Sequence, residues 1–250
     1  MGLKKRIIPI VLLDGFSVVK TIQFDVRRNL GSPITVAKTY NSRNVDELVL
    51  LDIDASTDER SIDLFTIRDI ARHCFMPLTV GGGLKSISDI AETISAGADK
   101  IVLNTAAIEN PQLINEAARN FGSQSIVVSI DILEGDGNWS LFSRKTRIAK
   151  HPIEFAKHLE QLGAGELIFN VIERDGKMEG PNFELAEQVA NATTLPTIYA
   201  GGISSPQDCV KLGQTDLAGL GVSSIFHFTD YTPLDCKTAM SEAGIDVRIN

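Results

Sequence analysis

The sequence predicts an α/β fold: a single (β/α)8 TIM barrel over residues 1–250, made of two duplicated half-barrels at about 1–122 and 123–250. Three observations carry this. Eight short runs rich in Val, Ile and Leu alternate with amphipathic stretches. A chain of 250 residues suits one closed barrel, whose usual size is about 250 residues, without remainder. A sequence pattern also returns at a shift of 119 residues, from Met76 to Leu195.

The elements follow in order. The run 6–13 comes after the basic Lys4-Lys5-Arg6 and stops at Asp14-Gly15. It reads as a first strand, because its apolar stretch is too short for a signal peptide. The other strands are expected at 47–53, 77–80, 100–103, 125–131, 166–170, 196–200 and 217–222. Each is nearly continuous in apolar residues, as strands buried on both faces should be. Helical patterns lie between them, including 61–74, 86–95, 111–120, 153–162, 183–191 and 206–212. Asn110-Pro111 and Ser205-Pro206 place a capping side chain before a first-turn proline. A doubly wound sheet is the rival, but eight units with no surplus domain favour closure. The stretch 133–150, with Gly135-Asp136-Gly137, Trp139-Ser140-Leu141-Phe142 and Arg144-Lys145, reads as an excursion, a small hairpin after the fifth strand.

The repeat sets Met76-Pro77-Leu78-Thr79-Val80-Gly81-Gly82-Gly83 against Leu195-Pro196-Thr197-Ile198-Tyr199-Ala200-Gly201-Gly202. The same shift pairs Ser86 with Ser205, Asp89 with Asp208, and Leu12 with Asp131. A pseudo-twofold axis follows.

Composition narrows the function. Apolar residues are 43% and charged residues 22%, an ordinary globular mixture. The net charge of −8 argues against nucleic acid. No apolar run approaches the roughly 20 residues of a membrane span. Three cysteines, Cys74, Cys209 and Cys236, speak against a disulfide framework and for a reducing, cytoplasmic setting. His73, His151, His158 and His227 lack metal-ligand spacing, so no metal is expected, and no cofactor either.

Chemistry concentrates at the strand ends. Gly81-Gly82-Gly83 and Gly201-Gly202 let backbone N–H groups approach an anion, and Asn104-Thr105 and Ser223-Ser224 add polar groups beside them. The duplicated arrangement reads as two phosphate sites at opposite sides of the mouth, for a substrate with a phosphate at each end. Tight turns alone are the plainer account. Asp131, at the end of the fifth strand, is the candidate acid or base, with a cap as its plainer account. Its symmetry partner is Leu12, which carries no proton, and Asp14 belongs to a turn. Lys20, Asp52, Asp54, Ser56, Asn170 and Arg174-Asp175-Gly176 converge on the same face, though each alone also reads as structural. At the opposite face Arg6, Glu47, Lys100 and Glu166 open four strands. They can close a salt-bridged ring, either a stability plug or a gate to the barrel axis.

These residues carry a resemblance. Arg6-Ile7-Ile8-Pro9, Val18-Val19-Lys20, Pro77-Leu78-Thr79-Val80-Gly81-Gly82-Gly83, Gly97-Ala98-Asp99-Lys100, Leu162-Gly163-Ala164-Gly165-Glu166, Arg174-Asp175-Gly176 and Ser224-Ile225-Phe226-His227 together resemble the cyclase subunit of imidazole glycerol phosphate synthase, the HisF family, over nearly the whole chain. The resemblance implies a barrel fed with ammonia by a glutamine amidotransferase docked on its N-terminal face. It makes Arg6, Glu47, Lys100 and Glu166 the gate, and Asp131 the second catalytic aspartate. Gly83, Asn104 and Thr105 become one phosphate site. Asp175, Gly176, Gly202, Ser223 and Ser224 become the other.

Leu12 stands where the histidine-pathway enzymes carry their first catalytic aspartate. The aliphatic run after Ile7-Ile8-Pro9, Phe75-Met76-Pro77 and Ser125-Ile126-Val127-Val128-Ser129-Ile130-Asp131 are more similar to a paralogous group from surface-polysaccharide gene clusters. That resemblance implies amidated or acetamidino sugars, with ammonia supplied to a third enzyme. Two alternatives stand beside it. One is the histidine-pathway cyclase, using Asp131 alone or a shifted Asp14. The other is a non-catalytic channel or activator subunit.

Overall fold

The computed structural model describes residues 4–135 and 138–249; Asp136 and Gly137 of the excursion quoted above lie outside the described residues. In chain order the strands are β1 (Arg6–Asp14), β2 (Ser17–Ile22), β3 (Val26–Gly31), β4 (Leu48–Asp52), β5 (Leu78–Gly81), β6 (Lys100–Leu103), β7 (Ile126–Gly135), β8 (Asn138–Ser143), β9 (Thr146–Ile148), β10 (Glu166–Val171), β11 (Thr197–Ala200) and β12 (Gly219–Val222). The helices are α1 (Pro33–Ser42), α2 (Leu64–Ala71), α3 (Ile87–Ser95), α4 (Thr105–Glu109), α5 (Gln112–Phe121), α6 (Pro152–Leu162), α7 (Phe183–Ala190), α8 (Pro206–Gly213), α9 (Ile225–Phe228) and α10 (Pro233–Glu242).

Eight strands pair in parallel in the order β1, β4, β5, β6, β7, β10, β11, β12, and β12 returns to β1 to close the barrel. All eight expected strands are present, and the fold is the (β/α)8 barrel. Side-chain alternation separates two cores. One lies between strands and helices, with Ile7, Leu48, Leu50, Phe169 and Tyr199 among its members. The other fills the axis with Ile8, Ile10, Val49, Val102, Val127, Ile168 and Ile198. β12 carries glycine where it faces this axis: a Cβ on Gly221 would meet Ile10 Cδ1 at 2.6 Å. The glycine makes room for the isoleucine.

The structure departs from the sequence reading between strands β1 and β4. β1 runs into an antiparallel hairpin, β2–β3, with Leu12 opposite Val19 and Asp14 opposite Ser17. The reading had only a loop there. β3 hides the signal, because Val-Arg-Arg-Asn-Leu-Gly is almost wholly exposed and shows no apolar alternation. The matching hairpin, β8–β9, lies within the expected excursion and extends β7. The expected helix 61–74 begins only at Leu64, because Asp63 caps it by accepting from Phe65 N at 3.1 Å and Thr66 N at 3.2 Å.

Candidate active site

The strand ends opposite the chain's Arg6 end open into a cavity of about 620 Å³, lined on all sides by βα loops. Two glycine cradles face each other in the repeat. At Gly83, φ is +66° and a Cβ would lie 2.1 Å from Arg60 O; at Gly202, φ is +84° and a Cβ would lie 2.4 Å from Gly180 O. Only glycine fits either place, and both leave bare backbone at the cavity wall. Asn104, Thr105, Gly176, Ser223 and Ser224 line the same cavity, Asn104 and Thr105 at the end of β6 next to β5, and Ser223 and Ser224 at the end of β12 next to β11.

Asp131 lies deep in the cavity. Asn104 Nδ2 donates to its Oδ2 at 3.1 Å, and Ser129 Oγ approaches Oδ1 at 3.4 Å. Burial pushes this carboxyl up to about 7; hydrogen bonds from Asn170, Ser129 and Asn104 oppose the shift, and the charge on Asp175 adds to it. A carboxyl so placed holds a proton near neutral pH and can deliver it to a reacting oxygen or nitrogen.

Three other carboxylates of the cavity, Asp52, Asp54 and Asp175, are already paired. Lys20, buried, donates to Asp175 Oδ1 at 2.5 Å, and Thr21 Oγ1 donates to Asp175 Oδ2 at 2.6 Å. This pair ties β2 to the loop after β10. Asp52 accepts both Arg60 nitrogens at 2.6 and 2.9 Å, and also the N–H groups of Asp54 and Ala55. It anchors its own loop. Asp54 accepts Arg27 at 2.6 Å, and that contact holds its carboxyl below the usual range. Leu12, 8% exposed, lines the cavity among Ile10, Leu51, Ile168 and Ala200. Asp14 does not line it; its carboxylate meets Arg27 at 2.7 Å on the hairpin. Asp14 is thus not among the residues that face Asp131 across the cavity.

At the other end of the axis the four charges close a ring. Arg6 donates to Glu47 at 2.8 Å and to Glu166; Lys100 lies 3.1 Å from Glu47 and 2.8 Å from Glu166. Thr79 Oγ1 adds a hydrogen bond to Glu47 at 2.5 Å. Both glutamates are buried, whereas Arg6 and Lys100 are about a quarter and a fifth exposed. Removing Lys100 leaves two buried carboxylates sharing one cation. Lys100→Ala is expected to cost about 1–3 kcal/mol in urea unfolding, less than a fully buried pair because the lysine is partly wet.

Several cavity residues were not singled out from sequence: Phe24, Asp25, Arg27, Ser129 and Phe142, together with Arg144 and Lys145 as site residues. Most sit on the two hairpins. Only the paired cations at the β8–β9 tip left a sequence signal. His227 is turned from the cavity to Tyr40, with Nε2 and the phenol oxygen 3.1 Å apart, and burial pushes its ring down to about 4. Among the described residues no helix is long and apolar enough to cross a membrane.

Comparison with known proteins gives the following. The family described as histidine biosynthesis protein matches residues 6–232. A Campylobacter jejuni protein, provisionally named imidazole glycerol phosphate synthase subunit hisF2, is 43% identical over 250 residues, covering 99% of each chain. The imidazole glycerol phosphate synthase subunit HisF of Thermococcus onnurineus is 39% identical over 250 residues, again covering 99% of each.

Proposed function

The chain belongs to the histidine biosynthesis protein family as a HisF-like barrel, and from that premise we propose that it is the synthase-like half of a glutamine amidotransferase pair, taking ammonia at its floor and delivering it to a phosphorylated acceptor at its mouth. One observation carries the reading: the charged ring, the apolar axis and Asp131 lie in series along one barrel. Ammonia is small and neutral, so an apolar lining neither holds it nor protonates it. The ring of Arg6, Glu47, Lys100 and Glu166 is the gate. Both relatives are named as subunits, and the expected partner is a glutaminase docked at the N-terminal face.

At the mouth the two cradles hold the acceptor by its anionic ends, Gly83, Asn104 and Thr105 at one and Gly176, Gly202, Ser223 and Ser224 at the other. The ammonia lone pair forms the C–N bond as the carbonyl electron pair moves to oxygen. Asp131 gives that oxygen its proton and recovers one from the new ammonium nitrogen.

Leu12 decides between acceptors. Imidazole ring closure in the histidine pathway uses a second aspartate at this place, and a leucine cannot relay a proton. Loss of one member of an acid–base pair costs about 10²–10⁴ in rate. We therefore assign the chain to a paralogous role in surface-glycan synthesis: the addition at its mouth yields a carbinolamine, and amidated or acetamidino sugars, whose formation also requires the carbonyl oxygen to leave, are completed by a further enzyme. The test is complementation of a histidine auxotroph lacking its cyclase. No growth is expected from this chain with its partner; growth would return it to histidine synthesis. Lys100→Ala is expected to uncouple the pair, read as more glutamate released per acceptor aminated. An unchanged ratio would count against the gate.

A further inference from the structure

The two hairpins carry opposite charge at their tips, and this gives the cavity a direction. Ser143 and Thr146 pair across the β8–β9 turn, so Arg144 and Lys145 are its two central residues. Both have positive φ, +47° and +61°. A two-residue turn of that kind favours Asn-Gly, and side chains larger than glycine are strained there. Both strained positions hold cations, and both cations line the cavity.

The tip is fastened beside the first glycine cradle. Ser143 Oγ lies 3.0 Å from Thr105 Oγ1 and 3.5 Å from Asn104 Oδ1. Arg144 pairs with Glu109 of α4 at 3.1 Å, both of them well exposed, so the guanidinium is free to exchange partners. Lys145 has no ion pair or hydrogen bond among the described residues. In the other half the β2–β3 turn presents Gln23, Phe24 and Asp25 to the cavity, and Asp25 is the only charge among them. Two cations stand near the second cradle, and both are already engaged: Lys20 pairs with Asp175, and Arg174, whose Cβ lies 3.0 Å from where a Cβ on Gly202 would be, donates to Gly180 O at 3.0 Å.

We infer that Arg144 and Lys145 form an anion clamp on the Gly83–Thr105 cradle, so that the acceptor binds in one orientation with its more highly charged terminus, a phosphomonoester dianion or a diphosphate, under the β8–β9 hairpin. The second cradle, with backbone, hydroxyls and Asp25, takes the less charged end. This rests on the reading that the cradles hold anions.

The turn itself supplies a clean test. R144N/K145G installs the residues this backbone favours while removing both charges. It is expected to unfold at the same temperature as the wild type or higher. In calorimetric titration with inorganic phosphate, the wild type is expected to show two unequal sites. The tighter Kd should rise about tenfold in R144N/K145G, as expected for losing charge-assisted contacts in partly wet surroundings, and the weaker should stay. R144K/K145R should keep the tighter site. Two phosphates bound with both constants unchanged in R144N/K145G would overturn the clamp alone. A wild-type chain that binds no phosphate would overturn the cradles and the clamp together. Equal loss in R144K/K145R would show that hairpin shape, not charge, is responsible, and would also overturn it.

Discussion

Asp131→Asn is expected to lower ammonium-dependent amination of the acceptor by about 10²–10⁴-fold, the usual worth of a positioned acid or base, while phosphate binding persists. The same substitution is expected to stabilise the protein, and the pH dependence separates the two effects. Burial raises the Asp131 carboxyl to about 7 in the folded chain, against roughly 3.9 for an unperturbed aspartate. Between those values the folded chain holds a proton that the unfolded chain has released. Stability from this group is therefore full below the unfolded value, falls as pH rises to about 7, and is level above. Asparagine does not titrate. The unfolding temperature of Asp131→Asn relative to wild type should thus climb from pH 4 to pH 7 and then stay constant. At a fixed concentration of free ammonia, amination by the wild type should decline above pH 7 as the acid form is lost. A flat difference in unfolding temperature would mean that Asp131 is ionised throughout and is no acid.

That a single acid lies in the mouth limits the chemistry proposed for it. Addition of ammonia to one carbonyl needs one proton delivered and one returned, which one carboxyl can do in turn. Closing a ring while a second bond breaks asks for proton transfer at two places at once. Leu12 meets that demand with a methyl surface; Asp52, Asp54 and Asp175 at the strand ends are each held by an arginine or lysine, and Asp25 lines the cavity from the β2–β3 turn. A simpler acceptor thus suits the occupied carboxylates at the strand ends as well as the one replaced residue.

The barrel was legible in the sequence because its strands are buried on both faces and read as unbroken apolar runs. The glycine cradles were legible because their two halves match at one shift. The β2–β3 hairpin was not, since the exposed polar strand β3 earns its hydrogen bonds from β2 and shows no buried face. Pairings across the fold were equally hidden. Asp52 reads as a substrate ligand from its position at a strand end, and only the fold brings Arg60 back to cover both its oxygens. Lys20 reads as a substrate-binding candidate on the same face, whereas in the fold Asp175 reaches it from 155 residues away. The ring at the floor was legible as four charges opening four strands, because a closed barrel must bring those positions together.

What holds that ring in register was not legible at all, and it sets the second large expectation. Lys237 of α10 is 2% exposed, and its ammonium donates to Asp46 Oδ1 at 2.8 Å and Asn44 O at 3.0 Å. The other oxygen of Asp46 accepts Ile7 N at 2.9 Å. Asp46 thereby fixes the residue after Arg6 and stands next to Glu47, so one buried ion pair aligns two members of the ring. Lys237→Met keeps much of the volume but leaves Asp46 buried without its cation. The loss is expected to be about 3–5 kcal/mol in urea unfolding, or roughly 6–20 °C in unfolding temperature for a chain of this size. Lys237→Met with Asp46→Leu should recover much of that, because the penalty belongs to the abandoned charge rather than to a lost attraction. If the ring gates ammonia as proposed, the single variant should also uncouple the pair, as is expected of Lys100→Ala, since Arg6 and Glu47 lose their common support. A Lys237→Met protein within about 1 kcal/mol of the wild type, the range of an exposed pair, would show that Asp46 is satisfied by backbone alone and that the floor keeps its alignment without α10.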